Sequence, residues 1–173
     1  MRVGILMIAA LAAACAGGDS PTSPSGQQEN FAWTVNGQSF TASSNGRGAL
    51  RAGAVLSLTG GNCSAGAIIN LNVPSLAPGT YNVGPNAVNV TWTPDARTGS
   101  AANEAWHAPA IPRVVNNVLV AGGSGSVTIS SISSEWVSGT FTAEAVAGPT
   151  NRETGARMIQ GSFELSFRER TIC

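Results

Sequence analysis

Apolar and polar residues alternate with a period of two through most of this chain, and that alternation constrains its fold more than any other feature. A strand sends successive side chains to opposite faces, so such alternation describes antiparallel strands with one face toward a core. The segment FAWTVNGQSFTAS, residues 31–43, shows it first: Phe31, Trp33 and Val35 share a face. Asn36-Gly37 is the favoured sequence of a type I′ hairpin turn, whose two central residues both need positive φ. A two-residue loop there pairs Val35 with Gln38 and Trp33 with Phe40, which brings two aromatic rings together on one face.

Further strands are expected at Ala49–Leu58, Ala67–Val73, Ala87–Thr93, Val114–Val120, Ser126–Ile132, Trp136–Ala147 and Ala156–Arg168, with Gly, Asn, Pro and Ser between them. In the last, Phe163, Leu165 and Phe167 alternate with Glu164, Ser166 and Arg168. The pattern predicts an all-β fold: a single antiparallel β-sandwich or up-and-down barrel of about 8–9 strands. Only SAANEAWHA, Ser100–Ala108, admits a helical turn, which Pro109 and Pro112 would stop.

Two glycines stand where a strand should avoid them. Gly139 and Gly161 lie two residues before Phe141 and Phe163 on the same faces. If Ala147 pairs near Gly155, Phe141 falls opposite Gly161 and Phe163 opposite Gly139, so each ring covers the bare backbone of its partner. A shift of two residues would instead set Phe141 against Phe163. The first register gives both glycines a reason.

Ahead of the strands, Met1-Arg2 leads into VGILMIAALAAA, an apolar run of the length of a signal-peptide core and too short to span a bilayer. Ala12-Ala13-Ala14-Cys15 resembles the lipobox of bacterial lipoproteins, with Ala12 where Leu is commoner. The resemblance implies cleavage before Cys15 and a diacylglyceryl thioether on its thiol. Residues 1–14 are then a signal peptide. Residues 15–30 are the lipidated cysteine and a flexible Gly/Ser/Pro tether, which at roughly 3.3 Å per residue reaches about 50 Å. Residues 31–173 are the β domain, about 140 residues and enough for one core. The same resemblance implies a lipid-anchored protein of the bacterial cell envelope, and Ala16, in place of an Asp that retains some lipoproteins at the inner membrane, points to the outer membrane. With Cys15 lipidated, Cys63 and Cys173 remain as an even pair in a compartment that permits disulfides, and a bond between them is expected.

The chemistry-bearing residues are few. Nine arginines, no lysine and nine scattered acids give a formal charge of zero, which recommends neither nucleic acid nor an anionic membrane face as a partner. His107 is the single histidine and offers no metal constellation of its own. No G-x-S-x-G elbow occurs, and Gly122-Gly123-Ser124-Gly125-Ser126 leads into a strand rather than a helix. No catalytic residue, metal site or cofactor is expected. Trp33 and Trp92 belong to inward faces, whereas Trp106, His107 and Trp136 are the candidates for ligand contact. Trp106 and His107 lie in an irregular segment, and Trp136 opens a strand.

The order W-x-V-N-G-x-x-F from Trp33, Gly79-Thr80-Tyr81, Gly125-Ser126-Val127-Thr128-Ile129, Ser138-Gly139-Thr140-Phe141 and Gly161-Ser162-Phe163 resembles a family of small β-rich bacterial lipoproteins of unknown function. The resemblance covers most of Phe31–Phe167, implies the β fold and the anchor, and brings no catalytic residue. The function expected is a noncatalytic, envelope-anchored binding or structural domain. Its partners are the membrane, through Cys15, and an envelope protein or small ligand. Two alternatives stand beside it: a barrel calyx carrying a small hydrophobic ligand, and a hydrolase whose site joins His107 to a carboxylate from elsewhere in the chain.

Overall fold

The structure, a computed structural model, describes residues 28–98, 105–109, 113–115, 118–120, 122–151, 153 and 155–167. The segment expected to be a signal peptide, Cys15 and Cys173 lie outside them. The first strands are β1 (Asn30–Val35), β2 (Gln38–Thr41), β3 (Arg47–Ala52), β4 (Val55–Asn62) and β5 (Ala67–Val73). They are followed by β6 (Gly79–Asn82), β7 (Asn89–Thr93), a 3-10 turn at Ala96–Thr98, β8 (Trp106–Ala108), β9 (Arg113–Val115) and β10 (Val118–Val120). Three long strands close the chain: β11 (Ser124–Ile132), β12 (Trp136–Ala147) and β13 (Ala156–Ser166).

Eleven strands form one antiparallel sheet, whose continuous path runs β2-β1-β13-β12-β8-β7-β5-β4-β3. The path curls into a half-barrel. Strand β12 is its fork: β13 lies along one edge, while the other edge carries β11 from Val137 to Glu144 and then β8 at Val146 and Ala147. Strand β11 in turn carries β6, and β9 and β10 form a separate hairpin. The far edge of the path folds back on its start. Ala49 of β3 bridges Phe167, just past β13, and the Arg51 guanidinium lies 3.9 Å over the Phe167 ring.

The first hairpin forms as its residues dictate. Asn36 and Gly37 have φ of 48° and 86°, and Val35 pairs with Gln38 and Trp33 with Phe40. The Asn36 side-chain carbonyl also accepts a 2.9 Å bond from the Met158 N–H, which ties the turn to β13.

The concave face is a continuous apolar core. Phe141 stands opposite Gly161, and Phe163 opposite Gly139. A Cβ built on Gly161 would lie 2.7 Å from the tip of the Phe141 ring, and one on Gly139 would lie 2.7 Å from the tip of Phe163. A third glycine, Gly60 of β4, takes the Phe31 ring in the same way, at 2.7 Å. The three phenylalanines meet, with Phe31 5.8 Å from Phe141 and 6.0 Å from Phe163 between ring centroids. From Phe31 the aromatic contacts continue through Trp33, Phe40 and Trp92 to Trp106, with centroids 5.4–6.5 Å apart.

Four segments differ from the sequence expectation, the first being Gly79–Asn82, which is a strand, β6, paired with β11 where none was expected. Ala49–Leu58 is two strands, because the chain turns at Gly53 (φ 61°) and pairs Ala52 with Val55. Val114–Val120 is likewise split between β9 and β10. Trp106–Ala108, expected in a helical turn or irregular excursion, is a strand held between β7 and β12. Its neighbours come from distant parts of the chain, which local pattern does not reveal.

Gly139→Ala and Gly161→Ala are each expected to lower stability by about 1–3 kcal/mol or more, because the added methyl would press on a neighbouring strand's carbonyl, that of Thr128 or of Ala32, as well as on a ring in a filled core. At Gly84 the same methyl would meet only the Ala87 side chain, at 3.8 Å. Urea denaturation should therefore separate these two variants from a near-neutral Gly84→Ala.

Candidate functional site

The convex face of β2-β1-β13-β12 carries polar side chains in register. Pairing sets Thr41, Ala32, Ser162 and Thr140 in one row across the four strands, and Ser39, Thr34, Gln160 and Thr142 in the next. These positions alternate with the buried Phe31, Trp33, Phe141 and Phe163, so the pattern that fills the core also lays out this face. The rows continue onto β11 and β6. Thr128 pairs with Thr140 and Thr80, and the Thr80 and Thr128 hydroxyls stand 3.0 Å apart. Ser126 pairs with Thr142 and Asn82.

Neither row contains a charged residue. A shallow groove of about 440 Å³ runs across them, lined by Thr34, Ser39, Thr41, Thr142, Gln160 and Ser162 among others. Hydroxyls and amides both donate and accept, so such a groove matches a ligand that does the same and carries no charge. The signal in the sequence was the run of Thr and Ser at every second position. What joins the strands into rows is the pairing of β1 with β13, the first strand with the last.

The residues singled out from the sequence do not converge. Trp106 is 1% exposed and belongs to the core, where Trp92 and the Arg157 guanidinium, 4.4 Å from its ring, cover it. Trp136 is 7% exposed and lies at the opposite end of β12 from the Trp106 pairing, its backbone N–H donating to the Ser133 hydroxyl at 3.0 Å. Both tryptophans, candidates for exposure from the sequence, are thus buried. Trp106 is held by its place in β8, and Trp136 by the turn that Ser133 closes.

His107 points to the convex face. Its Nδ1 is 3.3 Å from the Thr91 hydroxyl, and its ring lies against the backbone of Gly148, where a Cβ would come within 2.9 Å of it. Burial holds its pKa below the ordinary 6.5, which favours the neutral ring. Among the described residues, no three of His, Cys, Asp and Glu are grouped so as to hold a metal.

Cys63 follows β4, where its N–H donates to the Ser43 hydroxyl at 3.0 Å and its Sγ lies 3.5 Å from the Asn45 side-chain carbonyl. It borders a second hollow of about 280 Å³ beside Arg97. There the Arg97 guanidinium grips Asp95 through two 2.9 Å bonds and holds that carboxyl at about 2, while its Nη1 donates to the Ser64 carbonyl at 2.6 Å. The arginine's charge is thus turned toward its own aspartate.

The lowered His107 pKa fixes the sign of one pH effect. Below 6.5 the unfolded chain takes up a proton that the folded ring resists, so this residue's contribution to stability is present above 6.5 and is lost as pH falls toward the folded pKa. Thermal melts through this range should show His107→Gln losing less stability on acidification than the native chain. Equal losses would mean that the ring is not desolvated.

Residues 27–165 match the family described as Domain of unknown function (DUF6252). No curated protein and no solved structure matches the chain. The match takes in every strand from β1 through all but the last residue of β13, and thus both polar rows. The chain belongs to the DUF6252 family.

Proposed function

We propose that this is a noncatalytic binding domain, held at the bacterial envelope by lipid on Cys15, that recognises a neutral, hydroxyl-bearing ligand such as a saccharide chain on its convex sheet face. The observation that carries the reading is the pair of uncharged polar rows across β2-β1-β13-β12, with a groove of about 440 Å³ along them. A long strand pair, β12 and β13, holds these side chains at fixed spacing, and a preformed array loses little entropy on binding.

The interior favours the outside as the place of binding. A calyx for a small hydrophobe needs roughly 300–1,000 Å³ of chamber, and the concave face is crossed instead by aromatic rings whose centroids stand 5.4–6.5 Å apart. A hydrolase built on His107 would need a partner to orient the ring; its hydrogen-bond partner is the Thr91 hydroxyl. In the proposed arrangement Cys63 is bonded to Cys173, tying the end of the chain to the β4–β5 turn. Closing a loop of about 100 residues contributes on the order of 4–5 kcal/mol if the gain is loop-closure entropy.

One comparison of three full-length proteins tests both halves of the proposal. The native chain should fractionate with membranes and capture neutral polysaccharide extracted from the envelope. Cys15→Ser should move to the soluble fraction and still capture it. Thr142→Glu should stay membrane-bound with an unchanged melting temperature, but bind about ten-fold more weakly, since the ligand would have to desolvate an unpaired charge. A membrane-bound Cys15→Ser overturns the anchor. Native-like capture by Thr142→Glu, or no capture by the native chain, overturns the assignment to this face.

A further inference from the structure

We propose that one rim of the half-barrel, carrying Leu50, Val55 and Leu76, rests on the lipid bilayer. The inference deepens the anchored reading and depends on it. Its first support is where the chain enters the domain. Glu29, immediately before β1, pairs with Arg47 at 3.5 Å and accepts a bond from the Ser166 hydroxyl. The residues that lead back to Cys15 therefore join the domain at the Ser166–Phe167 end of β13.

The β3–β4 hairpin extends past that same end. Ala49 is level with Phe167, and Ala52, three residues on, pairs with Val55 at the turn. Between them Arg51 lies over the Phe167 ring and donates to the carbonyl of Ser133 in the β11–β12 turn. Leu56 pairs with Val73, which brings the loop Pro74–Pro78 to this rim as well.

The chemistry of the two ends differs. The turns at this rim read Ala-Gly-Ala-Val, residues 52–55, and Pro-Ser-Leu-Ala-Pro, residues 74–78, whereas the turns at the other end of β1 and β13 read Asn36-Gly37 and G-P-T-N-R-E-T-G. Four large hydrophobic side chains are exposed among the described residues, and three of them are here: Leu50 at 48%, Val55 at 37% and Leu76 at 36%. Turns exposed to water favour polar residues, so an uncharged apolar pair of turns is suited to a less polar surface. Among the described residues Arg51 bonds the Ser133 carbonyl through one nitrogen, and the rest of its guanidinium suits lipid phosphate. Among the described residues, acids on this side include Glu135, in the β11–β12 turn, and Glu29, which is paired with Arg47.

Contact is a property of the rim, not of the anchor. The thirteen residues between Cys15 and Glu29 would, at roughly 3.3 Å each, let the domain stand about 40 Å off the surface. Burial of the apolar side chains at the headgroup boundary is what would bring it down.

The test uses the full lipid-bearing chain in vesicles of phosphatidylethanolamine and phosphatidylglycerol containing brominated acyl chains. Two variants place a new indole at opposite ends, Leu76→Trp on the rim and Gln38→Trp at the Asn36-Gly37 turn. Both should float with the vesicles. Bromine should quench the emission added by Leu76→Trp about two-fold, as expected for a side chain at the acyl boundary, and leave that added by Gln38→Trp unquenched. Equal quenching of the two, or quenching of neither, overturns the inference while leaving the anchor intact. Failure of the lipid-bearing chain to float overturns the anchor, and the inference with it.

Discussion

A phenyl ring packed against the bare backbone of a glycine is the contact from which the rest of this domain follows. It occurs three times, with Phe31 on Gly60, Phe163 on Gly139 and Phe141 on Gly161. Phe31 also touches each of the other two rings. A glycine within a strand gives up side-chain packing and lets the sheet bend, and a ring laid on the bare backbone restores the lost contact. Because Gly60 lies on β4 while Phe31 lies on β1, the contact also spans the curl, holding the two sides of the half-barrel together. Each buried phenylalanine contributes about 1.5–3 kcal/mol of apolar burial.

The same contacts assign the two faces their roles. With glycine beneath the rings, the concave side continues as packed aromatics from Trp33 through Phe40 and Trp92 to Trp106, and it becomes core. The filling has a cost. The indole N–H groups of Trp33 and Trp92 are buried without a hydrogen-bond partner among the described residues, each costing about 1–3 kcal/mol. In the proposed function, recognition falls to the convex side and one rim. On the convex side the alternate positions of the same strands present hydroxyls and amides in rows, and at one rim two apolar turns flank the place where the chain enters.

How much of this was legible in the sequence depended on how local each determinant is. Asn36-Gly37 fixes its own hairpin and thereby the Trp33–Phe40 pair. The β12–β13 register could also be read, because the glycines and phenylalanines explain one another only when Phe141 meets Gly161 and Phe163 meets Gly139. The turn at Gly53 was missed because Ala-Gly-Ala-Val carries no Asn, Asp or Pro to mark it. The burial of Trp106 was missed because its strand is three residues long and is held by β7 and β12, not by its own pattern. The polar rows were hidden for a related reason: each strand shows its Thr and Ser, but their alignment depends on pairing the first strand with the last.

The most direct test is a double-mutant cycle at Gly60 and Phe31, since a Cβ on Gly60 would meet the Phe31 ring ahead of any backbone group. Denaturant unfolding would measure Gly60→Ala in the native chain and again beside Phe31→Leu. If the ring lies on this backbone and holds the curl, the glycine substitution should cost about 1–3 kcal/mol alone and at least about 0.5 kcal/mol less once the ring is gone. Additive losses would contradict the account, for they would mean that Gly60 and Phe31 support the half-barrel independently.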